Sequence, residues 1–203
     1  MGGTLDPIHV GHIEAAKAAQ AALDLDEVLI VPAGQPWQKD GRVFAIAPDR
    51  LTMANLAVSN LEKFVVSDVD VRRPGPTYTA DTLVDVRREE PPAQWWFIVG
   101  ADAFAKLPSW HQADRLGGLA RFAVVPREGT TDAQVRAAQA QASKSGSRVE
   151  VDMVTMAPVD VSSSQIRRMV ANGESIRDLV HPLVDDYIST HGLYVESAAK
   201  VAS

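Results

Sequence analysis

The sequence predicts an α/β fold, a parallel sheet flanked by helices with a helical portion at the C-terminal end. Three observations point there. Short runs rich in β-branched and aromatic residues recur at 27–31 (EVLIV), 64–71 (FVVSDVDV), 95–99 (WWFIV), 121–125 (RFAVV) and 149–156 (VEVDMVTM). Ten or more residues separate most of these runs, as the crossovers between parallel strands require. Beyond position 161 the strand pattern stops and the chain turns helical. With 203 residues and about 150 per domain, one domain over 1–203 is expected, its helical portion at about 161–196.

The elements follow in order. Residues 12–23 are alanine-rich and read as a helix. Residues 48–61 place Leu51, Ala54, Leu56 and Val58 at helical spacing, and 79–90 open on Thr79 and carry Leu83 and Val86. Residues 103–119 and 131–143 read as further helices, and 162–171 and 182–190 form the C-terminal pair. Residues 32–47 (PAGQPWQKDGRVFAIA) have no period and two prolines. A long structureless loop in a compact domain is commonly a binding loop or lid, and this one is expected to move.

Composition excludes several functions. Twenty basic against 26 acidic residues leave a net charge of -6, unsuited to non-specific binding of nucleic acid or an anionic membrane. The absence of cysteine excludes disulfides, thiolate zinc sites and a cysteine nucleophile. No secretory signal is visible, and the longest apolar run falls far short of the roughly 20 residues of a membrane helix. A cytoplasmic protein is expected.

The chemistry gathers at three helix starts. The first is the stretch from Gly2 to His12, GGTLDPIHVGH. Gly2 and Gly3 allow close backbone approach before a helix that begins between Pro7 and His12. A helix N-terminus carries N–H groups and partial positive charge, and so attracts phosphate. His9 and His12, three apart, fall on one side of a turn and could both donate to one anion. Read alone, the stretch is equally a tight turn with two incidental histidines. The second start is Val161-Ser162-Ser163-Ser164-Gln165-Ile166-Arg167, where serine caps a helix and Arg167 adds charge. A plain capped helix is its simpler reading. Gly100-Ala101-Asp102 is the third. It follows an apolar strand, where an α/β sheet binds ligands and an Asp can accept ribose hydroxyls or cap a helix. Trp110 could stack on a flat heterocycle, and Lys39 and Arg42 could reach a phosphate, though each alone is more often packing or solvated charge.

Together these residues resemble one family. Gly2–His12 is similar to the GGTFDPIHxGH signature of bacterial nicotinate-mononucleotide adenylyltransferases, Rossmann-like members of the HxGH nucleotidyltransferases. Val31-Pro32-Ala33-Gly34-Gln35-Pro36 resembles the family's loop after the second strand. Residues 73–83 (RPGPTYTADTL) resemble its R-x-G-x-S-Y-T-x-D-T-L segment, and Gly100 to Trp110 its G-x-D-x-x-x-x-L-x-x-W. The C-terminal Asp185-Asp186-Tyr187-Ile188 to His191-Gly192-Leu193-Tyr194 is also similar, so the resemblance spans nearly the whole chain.

The resemblance implies adenylyl transfer from ATP to nicotinate mononucleotide, giving nicotinate adenine dinucleotide and pyrophosphate, with Mg²⁺ arriving on ATP and no metal held by the protein. It implies catalytic roles for His9, His12 and Arg167. It places Gly2, Gly3, Thr4, His9, His12, Gly100, Asp102, Ser163 and Arg167 on ATP. Lys39, Thr79, Trp110 and His111 fall to the mononucleotide. Nucleic acid and membrane are not expected partners, and a homo-oligomer is left open. Pantetheine-phosphate adenylyltransferase shares HxGH but lacks the Tyr78-Thr79 and Trp110 features. An inert nucleotide sensor is opposed by the intact His9, His12 and Arg167.

The sequence also departs from the pattern. Leu5 stands where Phe is usual, Thr77 replaces Ser, Val161 replaces Ile, and Trp37-Gln38-Lys39 replaces Pro-His-Lys. Only Met1 precedes the glycine pair, where the family has a full first strand. The central sheet is therefore expected to lack much of that strand.

Overall fold

The computed structural model describes residues 1–36, 43–127, 129–144 and 148–195. Lys39 and Arg42, with the middle of the 32–47 loop, lie outside the described residues. All strand pairings are parallel, in keeping with the α/β prediction. One ladder has the order β1 (Gly2–Gly3), β2 (Val28–Pro32), β4 (Phe64–Val66). A second runs β6 (Trp96–Gly100), β7 (Arg121–Val125), β8 (Val151–Met153). The two-residue strands β3 (Gln35–Pro36) and β5 (Pro76–Thr77) pair with each other.

The two ladders meet where β1 lies beside β6, and a Cβ on Gly2 would stand 3.4 Å from Phe97 Cε2. The first strand has two residues, Gly2 and Gly3. The Met1 amine occupies the start of β1 and donates to Leu29 O at 2.6 Å. Below it opens a cleft of about 690 Å³ lined by Met1, Leu25, Leu29, Val86, Trp95 and Phe97, among others.

Helix α1 (Val10–Leu23) has six alanines, the strongest helix former, and ends on Asp24 in the left-handed region. Pro48 at the start of α2 (Ala47–Val58) supplies a helical φ where no N–H partner is needed. Helices α4 (Thr79–Glu89), α7 (Asp132–Lys144), α8 (Ser163–Ala171) and α9 (Pro182–Thr190) lie where the sequence puts them, within two residues. One buried cluster joins Ile8, Ile30, Met53, Ile166 and Val184, packing α1, α2, α8 and α9 on the first ladder. A second surrounds β6 and β7, with Phe122 edge-on to both Phe97 and Phe104. Burying an aromatic side chain such as Phe104 or Phe122 contributes about 2–3 kcal/mol.

Three expectations are corrected. Residues 64–71 are not one strand: β4 stops at Val66, and α3 (Val69–Arg72) follows. The alternating valines suggested a strand, but Ser67 Oγ accepts the Val69 N–H and Asp68 takes the Arg72 guanidinium, which closes a helical turn instead. Residues 103–119 are not one helix. Helix α5 (Ala101–Phe104) gives way to a 3₁₀ turn at Leu107–Ser109, and α6 (Ala113–Leu116) follows. Pro108 cannot continue the ladder, and Gln112 sits at φ 53°. The strand read at 149–156 shortens to β8.

Candidate active site

The site forms at the carboxyl ends of β1, β6 and β7, where the turn into α1 faces the turns into α5 and α7. His9 is the N-cap of α1 and is 3% exposed. His12 lies one turn on, and the two rings stack with centroids 3.7 Å apart. The His9 N–H donates to His12 Nδ1 at 3.2 Å. With Nδ1 accepting from the His9 N–H, a neutral His12 ring carries its proton on Nε2. Burial, with Arg127 nearby, lowers the His9 pKa to about 4, so His9 is neutral at physiological pH. His9 Nδ1 is buried against Gly11.

Gly11 is needed for this packing. A Cβ there would stand 2.9 Å from Val161 Cγ1 and 3.1 Å from His9 Nδ1. The Val10 N–H goes to Leu179 O and the His12 N–H to His9 O. The α1 terminus therefore offers an anion its dipole and the His12 ring more than a full set of N–H groups. A Cβ on Gly3 would meet only Leu5 within 4 Å, so the backbone of the turn is open to close approach.

Helix α8 docks against the same turn. Ser162 caps it by accepting the Gln165 N–H, and Ser163 Oγ donates to Pro7 O at 3.0 Å. That hydroxyl proton is committed, which leaves Ser163 its main-chain N–H for a phosphate. Arg167 donates to Asp6 O at 2.6 Å and to Ser164 Oγ at 3.1 Å, and its guanidinium lies 4.3 Å from the Phe44 ring centroid.

On the other side, Gly100 precedes α5 and Asp102 sits exposed in its first turn, 3.9 Å from Arg127 Nε. A Cβ on Gly100 would come within 2.7 Å of Asp102 Oδ1 and 3.2 Å of Arg127 Cγ. Behind this turn, Tyr78, just before Thr79 at the start of α4, has its ring 4.2 Å from that of His111. Trp110 stands edge-on to Phe97, with centroids 6.1 Å apart. The structure thus brings His9, His12, Thr4, Ser163 and Arg167 to one turn, joins Gly100 and Asp102 to it through Arg127, and sets Tyr78 against His111 and Trp110 against Phe97.

Sequence reasoning missed four residues here. Arg127, two positions past β7, could have been noticed as a cation at a strand's carboxyl end. Arg50 carried no signal, because an arginine in an amphipathic helix reads as solvated. It is 1% exposed and donates to Thr4 O, Gly34 O and Ala45 O, tying the first turn to both ends of the 32–47 loop. Asp6 and Phe44 were passed over as turn and loop residues. Asp6 is 2% exposed and accepts the Phe44 and Ala45 N–H groups and the Tyr194 hydroxyl.

Parallel strands, two histidines stacked at the first turn and a serine-capped helix start docked against that turn form an arrangement of the nucleotidyltransferase kind. A family model described as cytidylyltransferase-like matches residues 1–169. A relative described as "Probable nicotinate-nucleotide adenylyltransferase" from Synechococcus sp. (strain JA-3-3Ab) is 40% identical, covering 97% of this chain and 93% of its own. Another of that description, from Arthrobacter sp. (strain FB24), is 42% identical over 98% and 91%. A solved nicotinic acid mononucleotide adenylyltransferase from Plasmodium falciparum, complexed with NaAD, has the same fold, with a TM-score of 0.76, 20% identity, and 95% and 94% coverage. The chain belongs to the cytidylyltransferase-like family and, within it, to the nicotinate-nucleotide adenylyltransferases.

Proposed function

We infer that this chain transfers the adenylyl group of ATP to nicotinate mononucleotide, releasing pyrophosphate and forming nicotinate adenine dinucleotide. The observation that carries the reading is the stacked His9–His12 pair set against Arg167 across one turn, in a chain about 40% identical to nicotinate-nucleotide adenylyltransferases along nearly its full length.

The acceptor's phosphate monoester has a second pKa of about 6, so at neutral pH it is already the nucleophile. It attacks the α-phosphorus in line, the α–β bridging bond breaks, and pyrophosphate leaves with the electron pair. No protein base and no covalent intermediate are needed. The protein's task is to bring two anions together and stabilise charge as it moves onto the leaving group.

In this reading His12 Nε2–H donates to the phosphates, with neutral His9 stacked behind it to fix its ring. Arg167 and the Ser163 N–H hold the triphosphate, and the Gly2-Gly3-Thr4 turn lets ATP lie close to the backbone. Gly100 and Asp102 contact the nucleotide and its ribose, and Arg127 adds positive charge beside them. Thr79, Trp110 and His111 receive the nicotinate ring and its carboxylate, and Lys39 meets a phosphate. Mg²⁺ enters with ATP as its complex. The described residues hold no group of three or more His, Asp or Glu placed to bind an ion, so no side chain is assigned to it. No helix among the described residues is long and apolar enough to cross a membrane.

The test is pyrophosphate release from MgATP with nicotinate mononucleotide, nicotinamide mononucleotide or phosphopantetheine as acceptor. Release fastest with the nicotinate form is expected. Release with phosphopantetheine alone, or with none of the three, overturns the reading.

A further inference from the structure

The C-terminal Tyr194 lies in a stretch that the proposed mechanism does not use, yet its hydroxyl reaches the centre of the site. It donates to Asp6 Oδ1 at 2.8 Å. Asp6 is buried in the turn that carries the histidines, and its two carboxylate oxygens also accept the Phe44 N–H at 2.8 Å and the Ala45 N–H at 3.1 Å. The same residue's main-chain oxygen takes the Arg167 guanidinium. Arg167 in turn lies over the Phe44 ring.

Phe44 is 65% exposed, so burial does not hold its ring in place. Its backbone is held by Asp6, and its neighbour Ala45 gives its carbonyl to Arg50. An exposed phenylalanine fixed under a guanidinium is a platform: the cation rests on the ring face while its outer N–H groups remain for an anion. The Asp6 carboxylate needs all three donors, because a buried charge short of one relaxes toward other partners. Tyr194 is the only one of the three donors that comes from the C-terminal segment. That segment is docked independently by the Tyr187 hydroxyl on Asp49 of α2.

We propose that Tyr194 is a positioning residue for ATP binding: through Asp6 it fixes the Phe44 ring on which Arg167 rests, so the C-terminal segment sets the geometry of the triphosphate end. The proposal rests on the reading of Arg167 as a triphosphate ligand. It adds that loss of one hydroxyl far along the chain weakens ATP binding more than acceptor binding.

The experiment uses the full chain and three variants: Tyr194→Phe, Phe44→Ala and the double substitution. MgATP affinity is read by titration calorimetry without acceptor, and KM for each substrate by pyrophosphate release, all well below each variant's Tm. Tyr194→Phe is expected to weaken MgATP binding about tenfold, the scale of one hydrogen bond to a charged group. KM for nicotinate mononucleotide should change by a smaller factor than MgATP affinity. The double variant should bind MgATP no more weakly than Phe44→Ala alone, because both changes act through the same ring. A lowered Tm with MgATP affinity within twofold of the parent means a structural tyrosine and overturns the proposal. Multiplying effects in the double variant overturn it too. A parent that binds MgATP but releases no pyrophosphate refutes the acceptor reading alone, and the titrations still decide the role of Tyr194.

Discussion

The chemistry assigned to the two histidines differs although the sequence presents them as a matched pair. His9 is buried, its pKa lowered by desolvation, and it cannot act as a cation near neutral pH. His12 is half-buried and has its Nδ1 tied to the His9 N–H, which puts the ring proton of a neutral His12 on Nε2. His12→Ala is therefore expected to cut turnover by about 10²-fold or more, the scale of losing one transition-state donor, with little change in KM for the mononucleotide. Steady-state pyrophosphate release measures it, and a near-normal turnover removes His12 from the chemistry. The pair itself was legible in the sequence, because a spacing of three after a glycine turn places both on one side. The difference between them was not, because the burial of His9 is set by packing that local spacing does not show. Asp6, Arg50 and Arg127 were hidden for the same reason: Tyr194, Thr4 and Asp102, partners that reveal them, lie 188, 46 and 25 residues away.

At the scale of elements, the strands and long helices were legible wherever local pattern and tertiary need agree. They failed where one side chain redirects the backbone, as Asp68 does after β4 and Pro108 does after α5. The paired β3 and β5 could not be read at all, since each has two residues and only their meeting defines them. That meeting depends on Gly34. A Cβ on Gly34 would stand 2.2 Å from Asp70 O, a backbone atom that cannot swing aside. Gln35 N–H donates to Thr77 Oγ1 next to it, and Arg50 takes Gly34 O. Gly34→Ala is expected to destabilise the chain by about 1–3 kcal/mol, the usual range for overpacking, and to raise KM for the mononucleotide because the 32–47 loop leaves from this point. Chemical denaturation and acceptor kinetics check both halves. A variant with unchanged midpoint and KM means the loop and α3 can part without consequence.

The whole molecule is two parallel ladders joined through a first strand of two residues, and this joint sets a pH dependence. The Met1 amine donates to Leu29 O of β2, and desolvation lowers its pKa from 8.0 to about 5. The unfolded chain takes up a proton at this amine near pH 8, whereas the folded chain resists it until about pH 5. The neutral amine's contribution to stability is thus fully present above pH 8 and is lost as pH falls from 8 toward 5. At pH 7 the loss is about 1.4 kcal/mol, one pH unit below the unfolded value. Acetylating the amine keeps an N–H for Leu29 O and removes the charge. The acetylated chain is expected to melt about 3–6 °C above the free one at pH 7. The gap should widen toward pH 5 and close above pH 8, because only the free amine titrates there. Melting curves of the two forms across pH 5–9 read the difference directly, and other titrating groups cancel because both forms share them. A gap that does not change with pH would place the amine in water, and the joint between the ladders would then rest on the packing of Gly2 against Phe97 rather than on a buried chain end.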